Sequence, residues 1–356
     1  MYGLTRGTIT LLGAAVAGLL IWLATQVDDG SNGGYWAVYG LIAAAGLVMA
    51  FSQILGGWTK WGWPRLSLNV FLIGFIPVLI AAGWVVVDVT GGTFTLSEKP
   101  PYDVLAAVRE LPDNSGVADT HRATVSVLVD GWPEDVRTCI GALLTHTDDD
   151  VVVQVLDLGN VDGAGDAVHE LAGPRVQEWH VAGAAGWSDA RTALLKADTA
   201  RVHVWCDLST VFTGDALTPL LDAIDADPKV VAAGWRGVDV DVDDEWRSFV
   251  DAGPGEVDAL LGYLFAMRRS AALAAGGPHP KARFYRNADM EFSFSLRDAV
   301  AGARLVVPAS DLPCRQDRHH GYHDSDPGYR DKESARTYQR FLQRYRGRMD
   351  LLAPRE

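Results

Sequence analysis

TVSVLVDGWPEDVRTCIGALLTHTDDDVVVQVLDLGNVDGAGDAVHELAG (residues 124–173) decides the fold. TVSVLV (124–129) is a short apolar run rich in β-branched residues, as buried strands are. PEDVRTCIGALL (133–144) places Pro at a first helical position and Val136, Ile140, Leu143 and Leu144 at helical spacing. VVVQVLD (151–157) is a second buried strand, and AGDAVHELAG (164–173) a short helix. The alternation continues in RVQEWHV (175–181, strand), SDARTALLKA (188–197, helix), RVHVWC (201–206, strand), GDALTPLLDAIDA (214–226, helix) and KVVAAG (229–234, strand). Strands and helices alternating at short intervals imply an α/β domain with a largely parallel sheet covered on both faces. Ligands bind such sheets beyond the carboxyl ends of the strands. Asp130, Asp157 and Asp207 each end or follow such a strand.

Upstream, the chain changes character. Residues 8–27, 35–55 and 66–87 are three apolar spans without a charge. Each suffices to cross ~30 Å of hydrocarbon at roughly 20 residues per crossing. A signal peptide is the alternative for the first span, but two more spans follow and no A-x-A-like cleavage site does, so an anchor is preferred. GGWTKWGWPR (56–65) mixes Trp58, Trp61 and Trp63 with Lys60 and Arg65, as at a headgroup boundary. The expected organisation is a three-helix transmembrane anchor over 1–90 and a linker over 91–121 containing a short helix at 102–111. An α/β domain over 122–330 and a C-terminal amphipathic helix and tail over 331–356 follow.

Charge is partitioned in the same way. Arg6, Lys60 and Arg65 cancel Asp28, Asp29 and Asp88, so the net −14 belongs to residues 91–356. An acidic surface of that kind argues against nucleic-acid partners, which need basic patches to displace counterions. The positive-inside rule favours an outward-facing soluble domain, on the strength of only three basic residues. Cys139, Cys206 and Cys314 are odd in number and widely spaced, which suggests no disulfide framework. Transport is disfavoured because the spans hold no buried charge.

GNVDGAG (159–165) has the G-x-x-x-G-x-G spacing of some dinucleotide sites. It follows the second strand rather than the first, and no Tyr-x-x-x-Lys pair accompanies it, so nicotinamide binding is set aside.

The order of the pieces over 122–352 resembles the family-two glycosyltransferases, which have an A-type nucleotide-sugar fold. TVSVLVDGWPEDVRTCIGALL resembles the first unit, LDLGNVD (156–162) the second-strand aspartate motif, and WCDLSTVFTGDAL (205–217) the D-x-D region. GYLFAMRRSAALAAGG (262–277) is similar to the acceptor-side strand with paired arginines and a Gly-Gly turn. FYRNADMEFSFSLRDAVAGARLVVP (284–308) is similar to the segment carrying the base, and the last stretch to actinobacterial members. The resemblance implies an inverting, hexosyltransferase-type enzyme moving sugar from a nucleotide-sugar donor to a lipid-linked or cell-envelope acceptor at the membrane. It implies Asp289 as base and Asp130, Asp157, Asp207, Arg268 and Arg269 as donor contacts. A Mg²⁺ or Mn²⁺ ion would be held by Asp207 with Ser209, His319 and His320, or a further histidine, His323.

Each assignment has a plainer reading. Aspartates at strand ends are common turn residues, Asp289 suits a helix N-terminus, and the arginines and histidines suit solvated loops. Glu291 is the fallback base, although helical spacing turns it elsewhere. Two departures bear on activity: Ser209 replaces the family's second metal aspartate, and Asp130-Gly131-Trp132 replaces a proline-centred turn. The alternative is therefore a catalytically degenerate, membrane-tethered binding or scaffolding module. Location divides the two readings, because nucleotide sugars are cytosolic. In the tail, Tyr338, Phe341, Leu342 and Tyr345 form an apolar stripe beside Arg336, Arg340 and Arg344. A docked terminal helix is expected ahead of one lying on anionic headgroups.

Overall fold

The computed structural model describes residues 100–316 and 326–355, and isolated helical positions between 15 and 48. The chain divides into two compact units, Met1–Lys99 and Pro100–Glu356. In the first unit, residues 15–17, 19–20, 22–23, 40–41, 44–46 and 48 are helical; the rest of the three expected spans lies outside the described residues. Among the described residues, no helix is long and apolar enough to cross a membrane.

The second unit is the α/β domain. Its strands are β1 (Val104–Leu105), β2 (His121–Val129), β3 (Val151–Leu158), β4 (Val176–Val181), β5 (Ala200–Cys206), β6 (Thr210–Phe212) and β7 (Val230–Gly234). They continue with β8 (Gly237–Val240), β9 (Phe249–Ala252), β10 (Gly255–Glu256), β11 (Ala259–Leu260), β12 (Leu264–Arg268), β13 (Arg304–Val307) and β14 (Cys314–Gln316). The helices are α1 (Pro133–His146), α2 (Ala164–Glu170), α3 (Trp187–Ala197), α4 (Thr218–Ala226), α5 (Arg269–Ala274), α6 (Ala288–Ala299) and α7 (Pro327–Tyr345).

Nine strands form one sheet in the order β1-β4-β3-β2-β5-β12-β7-β13-β10. The five strands β1, β4, β3, β2 and β5 run parallel, and β12 is inserted antiparallel between β5 and β7. From β2 the chain first builds outward through β3 and later returns to its other side as β5. The order therefore reverses at β2/β5, and a crevice opens beyond their carboxyl ends.

The core follows from the strand pattern. Val125, Val127 and Val129 of β2 are fully buried and share a cluster with Val136, Ile140 and Leu143 of α1. Burying each such side chain contributes roughly 1.5–3 kcal/mol. Pro133 starts α1, where its missing N–H costs nothing. The expected strands and helices of 124–234 recur within a few residues. Helix α4 starts later than the expected 214 because Asp215 Oδ1 accepts from the N–H groups of Leu217 and Thr218, and Pro219 sets the first turn.

Residues 102–111 do not form the expected helix. Val104–Leu105 is a strand paired with β4, followed by a 3-10 turn at Val108–Glu110. The open edge of β4 takes up its backbone groups, and Tyr102 stacks 3.7 Å from His180. Tertiary pairing overrides a weak helix preference here. The compact unit accordingly starts at Pro100 rather than 122 and runs to Glu356, α7 included.

Helix α7 is docked by its aromatic stripe. Phe341 and Tyr345 are buried against Phe294 of α6. Its arginines pair with acids: Arg340 with Glu291, Arg336 with Glu333 and Arg344 with Asp298.

Candidate active site

The crevice is a cavity of about 330 Å³ at the β2/β5 rim. Asp130 follows β2, Asp207 follows β5, and Asp289 sits in the first turn of α6; all three line it. Trp187, Tyr263 and Tyr285 supply aromatic wall, and Tyr329 reaches in from α7.

Asp207 is held by its own turn. Its Oδ1 accepts from the N–H of Ser209 at 2.9 Å and from its hydroxyl at 2.6 Å. Its Oδ2 makes no hydrogen bond among the described residues and remains available to a ligand. Ser209, the second expected metal position, lies directly against Asp207. It is buried, lies outside the cavity lining, and its hydroxyl proton goes to Asp207 while Gln316 donates to its oxygen at 3.2 Å. His319, His320 and His323 lie outside the described residues, among which no group of three His, Cys, Asp or Glu could hold a metal ion. The residues present still fit a divalent cation held largely by substrate phosphates. Mg²⁺ commonly takes one or two carboxylates, and the open oxygen of Asp207 is one.

Asp289 is half-buried. Its Oδ2 accepts from Gly262 N–H at 2.8 Å and its Oδ1 from Met290 N–H at 2.9 Å. Burial pushes its carboxyl up to about 6, against the opposing pull of those two N–H groups. A carboxylate with that value is ionised at neutral pH yet basic enough to take a proton. The fallback residue Glu291 points away, buried and in a two-point ion pair with Arg340 at 2.6 and 2.5 Å.

The floor carries a group that the strand-end pattern did not single out. Arg191 of α3 is buried between Trp187 and Trp205, and donates to Ser126 O at 2.8 Å and Cys206 O at 3.2 Å. Among the described residues its Nε has no partner and no carboxylate lies within ion-pair distance. Burial lowers its pKa to about 10, which leaves it charged at neutral pH. A chain of contacts fixes it: Ser126 Oγ meets His203 Nε2 at 3.1 Å, and His203 Nδ1 meets Asp198 at 2.7 Å. The only hint in the sequence was its position in a helix preceding β5. Arg283 and Arg286 also line the cavity and were equally unmarked.

Three expected donor contacts are placed elsewhere. Asp157 is buried outside the cavity lining, bound to Asn160 N–H at 3.0 Å and to His180 Nδ1 at 3.0 Å. It shapes the left-handed turn at Gly159 and Asn160 instead of facing a ligand. The closeness of Gly165, where a Cβ would come 2.5 Å from Asp157 Oδ2, explains the glycine. Arg268 and Arg269 sit at the opposite rim, since Arg268 pairs with Val202 at the start of β5 and Leu264 with Cys206 at its end. Arg268 donates to the carbonyls of Val230, Ile224 and Asp227, and Arg269 to those of Val117 and Asn114. Neither can reach a diphosphate in the crevice.

Residues 131–291 match the model of Glycosyl transferase family 2. The matched segment contains α1, β5 and the start of α6, and with them Asp207 and Asp289 of the cavity. No curated protein matches the chain. Among solved structures, a crystal structure of GalNAc-T7 with UDP, GalNAc and Mn2+ is 15% identical, with a TM-score of 0.49. The match covers 63% of this chain and 48% of that one, so the chain spans about half its length. The mannosyltransferase PcManGT from Pyrobaculum calidifontis in complex with GDP-Man and Mn2+ is 17% identical, with a TM-score of 0.44 over 69% of this chain and 79% of that one.

Proposed function

We propose that the chain is a membrane-anchored inverting glycosyltransferase that moves a sugar from a nucleotide-sugar donor to a lipid-linked or cell-envelope acceptor. The observation that carries this reading is one cavity holding a raised-pKa carboxylate, Asp289, together with an open aspartate, Asp207, and a buried unpaired arginine, Arg191. Asp289 takes the proton of the acceptor hydroxyl as that oxygen bonds to the anomeric carbon. The bond from that carbon to the diphosphate breaks on the far side, and its electron pair leaves with the nucleoside diphosphate. Arg191 meets the growing negative charge without reorganising, because its hydrogen bonds already hold it. A bound divalent cation would supply further charge neutralisation at the diphosphate. Asp130, at the β2 end, lies on the donor side.

Anchoring is supported by the three uncharged spans and by Val16, Leu19 and Trp22, which are helical and 45%, 55% and 57% exposed. With a nucleotide-sugar donor, the domain faces the cytosol, against the charge bias. The degenerate-module reading draws on Ser209, whose hydroxyl is spent on Asp207.

The test is nucleotide release by the purified full chain with UDP- and GDP-sugars and Mn²⁺ or Mg²⁺. Turnover that falls by about 10²–10⁴ in Asp289→Asn, and that needs Asp207, supports the enzyme. Full activity in both Asp289→Asn and Asp207→Ala refutes the mechanism. Metal-independent or absent nucleotide binding by calorimetry, with a C-terminal reporter reading outside, favours the scaffolding module.

A further inference from the structure

The cleft does not end at Asp289. Leu261 and Tyr263, which line the donor cavity, also line a second cavity of about 450 Å³. Along the rim, Asp130, Asp207, Tyr263 and Trp235 follow the strand order β2, β5, β12, β7. The second cavity therefore lies beyond the reacting carboxylate on the side away from Asp130.

Its distinctive feature is Arg236, in the turn between β7 and β8. The guanidinium carbon lies 4.5 Å from the Trp235 ring centroid and 5.5 Å from that of Tyr263. Several other arginines of this acidic domain are ion-paired, such as Arg297 with Glu256, Arg304 with Asp227 and Arg355 with Asp258. The Arg236 side chain makes no ion pair and no hydrogen bond among the described residues, while its backbone carbonyl accepts from Leu261 N–H at 3.0 Å. Asp251 and Asp311 line the same cavity, and neither comes within the 4.0 Å of an ion pair with it. The two rings hold the guanidinium by cation–π contact, which leaves its N–H donors in their planar fork to meet a ligand. That fork matches a carboxylate or a phosphate. The two flanking acids repel an anion placed anywhere else in the cavity, so the charge has one favourable position.

We propose that this second cavity is an acceptor subsite that takes a sugar bearing a negative charge, with the anion on the Arg236 edge and the ring beside Trp235. The assignment to the acceptor rests on the glycosyltransferase reading; the preference for an anionic sugar does not. The acceptor is then an acidic or phosphorylated glycan rather than a neutral one.

The test measures equilibrium binding of three probes to the full chain with UDP and Mn²⁺ present: methyl glucuronide, glucose 6-phosphate and methyl glucoside. The two anionic probes are expected to bind at least about 10-fold tighter than the neutral one, the advantage of a hydrogen-bonded charge pair. Their comparison separates a carboxylate site from a phosphate site. Arg236→Gln should abolish the preference, and Arg236→Lys, which keeps charge without the fork, should retain part of it. Equal binding of all three probes, no binding of any, or an undiminished preference in Arg236→Gln overturns the proposal. UDP affinity is read separately with Asp207→Ala. Its failure to depend on metal and Asp207 would sink the enzyme reading while leaving the probe preference standing.

Discussion

Replacing Asp289 by Asn should raise stability at alkaline pH while removing activity. Burial lifts the Asp289 carboxyl from an ordinary 3.8 to about 6. The native state thus holds its proton up to a higher pH than the unfolded chain does. Stability contributed by the protonated form is fully present below pH 3.8, declines as pH rises towards 6, and is gone above it. The shift of about two pH units corresponds to roughly 3 kcal/mol carried as a penalty at pH 8. Asn carries no charge and escapes that penalty. It offers only one oxygen to the two N–H donors of Gly262 and Met290, however, and the lost hydrogen bond costs about 1–2 kcal/mol. The net gain is about 1–2 kcal/mol, or roughly 2–8 °C in Tm for a unit of this size. The assay is thermal unfolding of the full chain in mild detergent from pH 4 to pH 8, wild type beside variant. The advantage of the variant should be present at pH 8 and vanish near pH 4, where both side chains are neutral. A variant equally destabilised at both pH values would refute the idea that burial sets the Asp289 pKa. In the same pH series, kcat/KM of the wild type should fall below about pH 6 as the base becomes protonated.

Arg340→Ala leaves the Glu291 carboxylate buried without its counter-charge and should cost about 3–5 kcal/mol. Hydrogen exchange would show it as lost protection along Pro327–Tyr345; unchanged protection would mean that α7 does not depend on the pair. Arg268→Ala removes the donor to three carbonyls and should cost about 2–3 kcal/mol, read as a fall in Tm, with nucleotide affinity unaltered. A tenfold weaker nucleotide affinity at unchanged Tm would return Arg268 to the diphosphate.

Much of the domain was legible along the chain. Alternation of apolar runs with helically spaced residues is a one-dimensional signal of burial on both faces of a sheet, and it located β2 to β5, β7 and α1 to α4. It also located Asp130 and Asp207, because in a parallel sheet the residue after each strand falls on the same rim; Asp289, in the first turn of α6, came from the family resemblance instead. The aromatic stripe of α7 was readable for the same reason: its period is set by the helix itself.

Tertiary structure decided the rest. Nothing in LFAMR distinguishes a parallel strand from an antiparallel one, and β12 runs antiparallel between β5 and β7. That reversal sends Arg268 and Arg269 to the rim opposite the cavity and brings Gly262 and Tyr263, at the start of the strand, into it. Asp157 ends its strand as Asp130 and Asp207 follow theirs, but His180 on the adjacent strand and the turn at Asn160 claim its oxygens. Arg191 and Arg236 show the converse. Their meaning comes from neighbours distant in sequence or from the lack of an ion pair among the described residues, and spacing along a chain records neither. Local pattern determined which residues form strands, helices and rim; the direction of one strand and the partners of each charge determined which of them face a substrate.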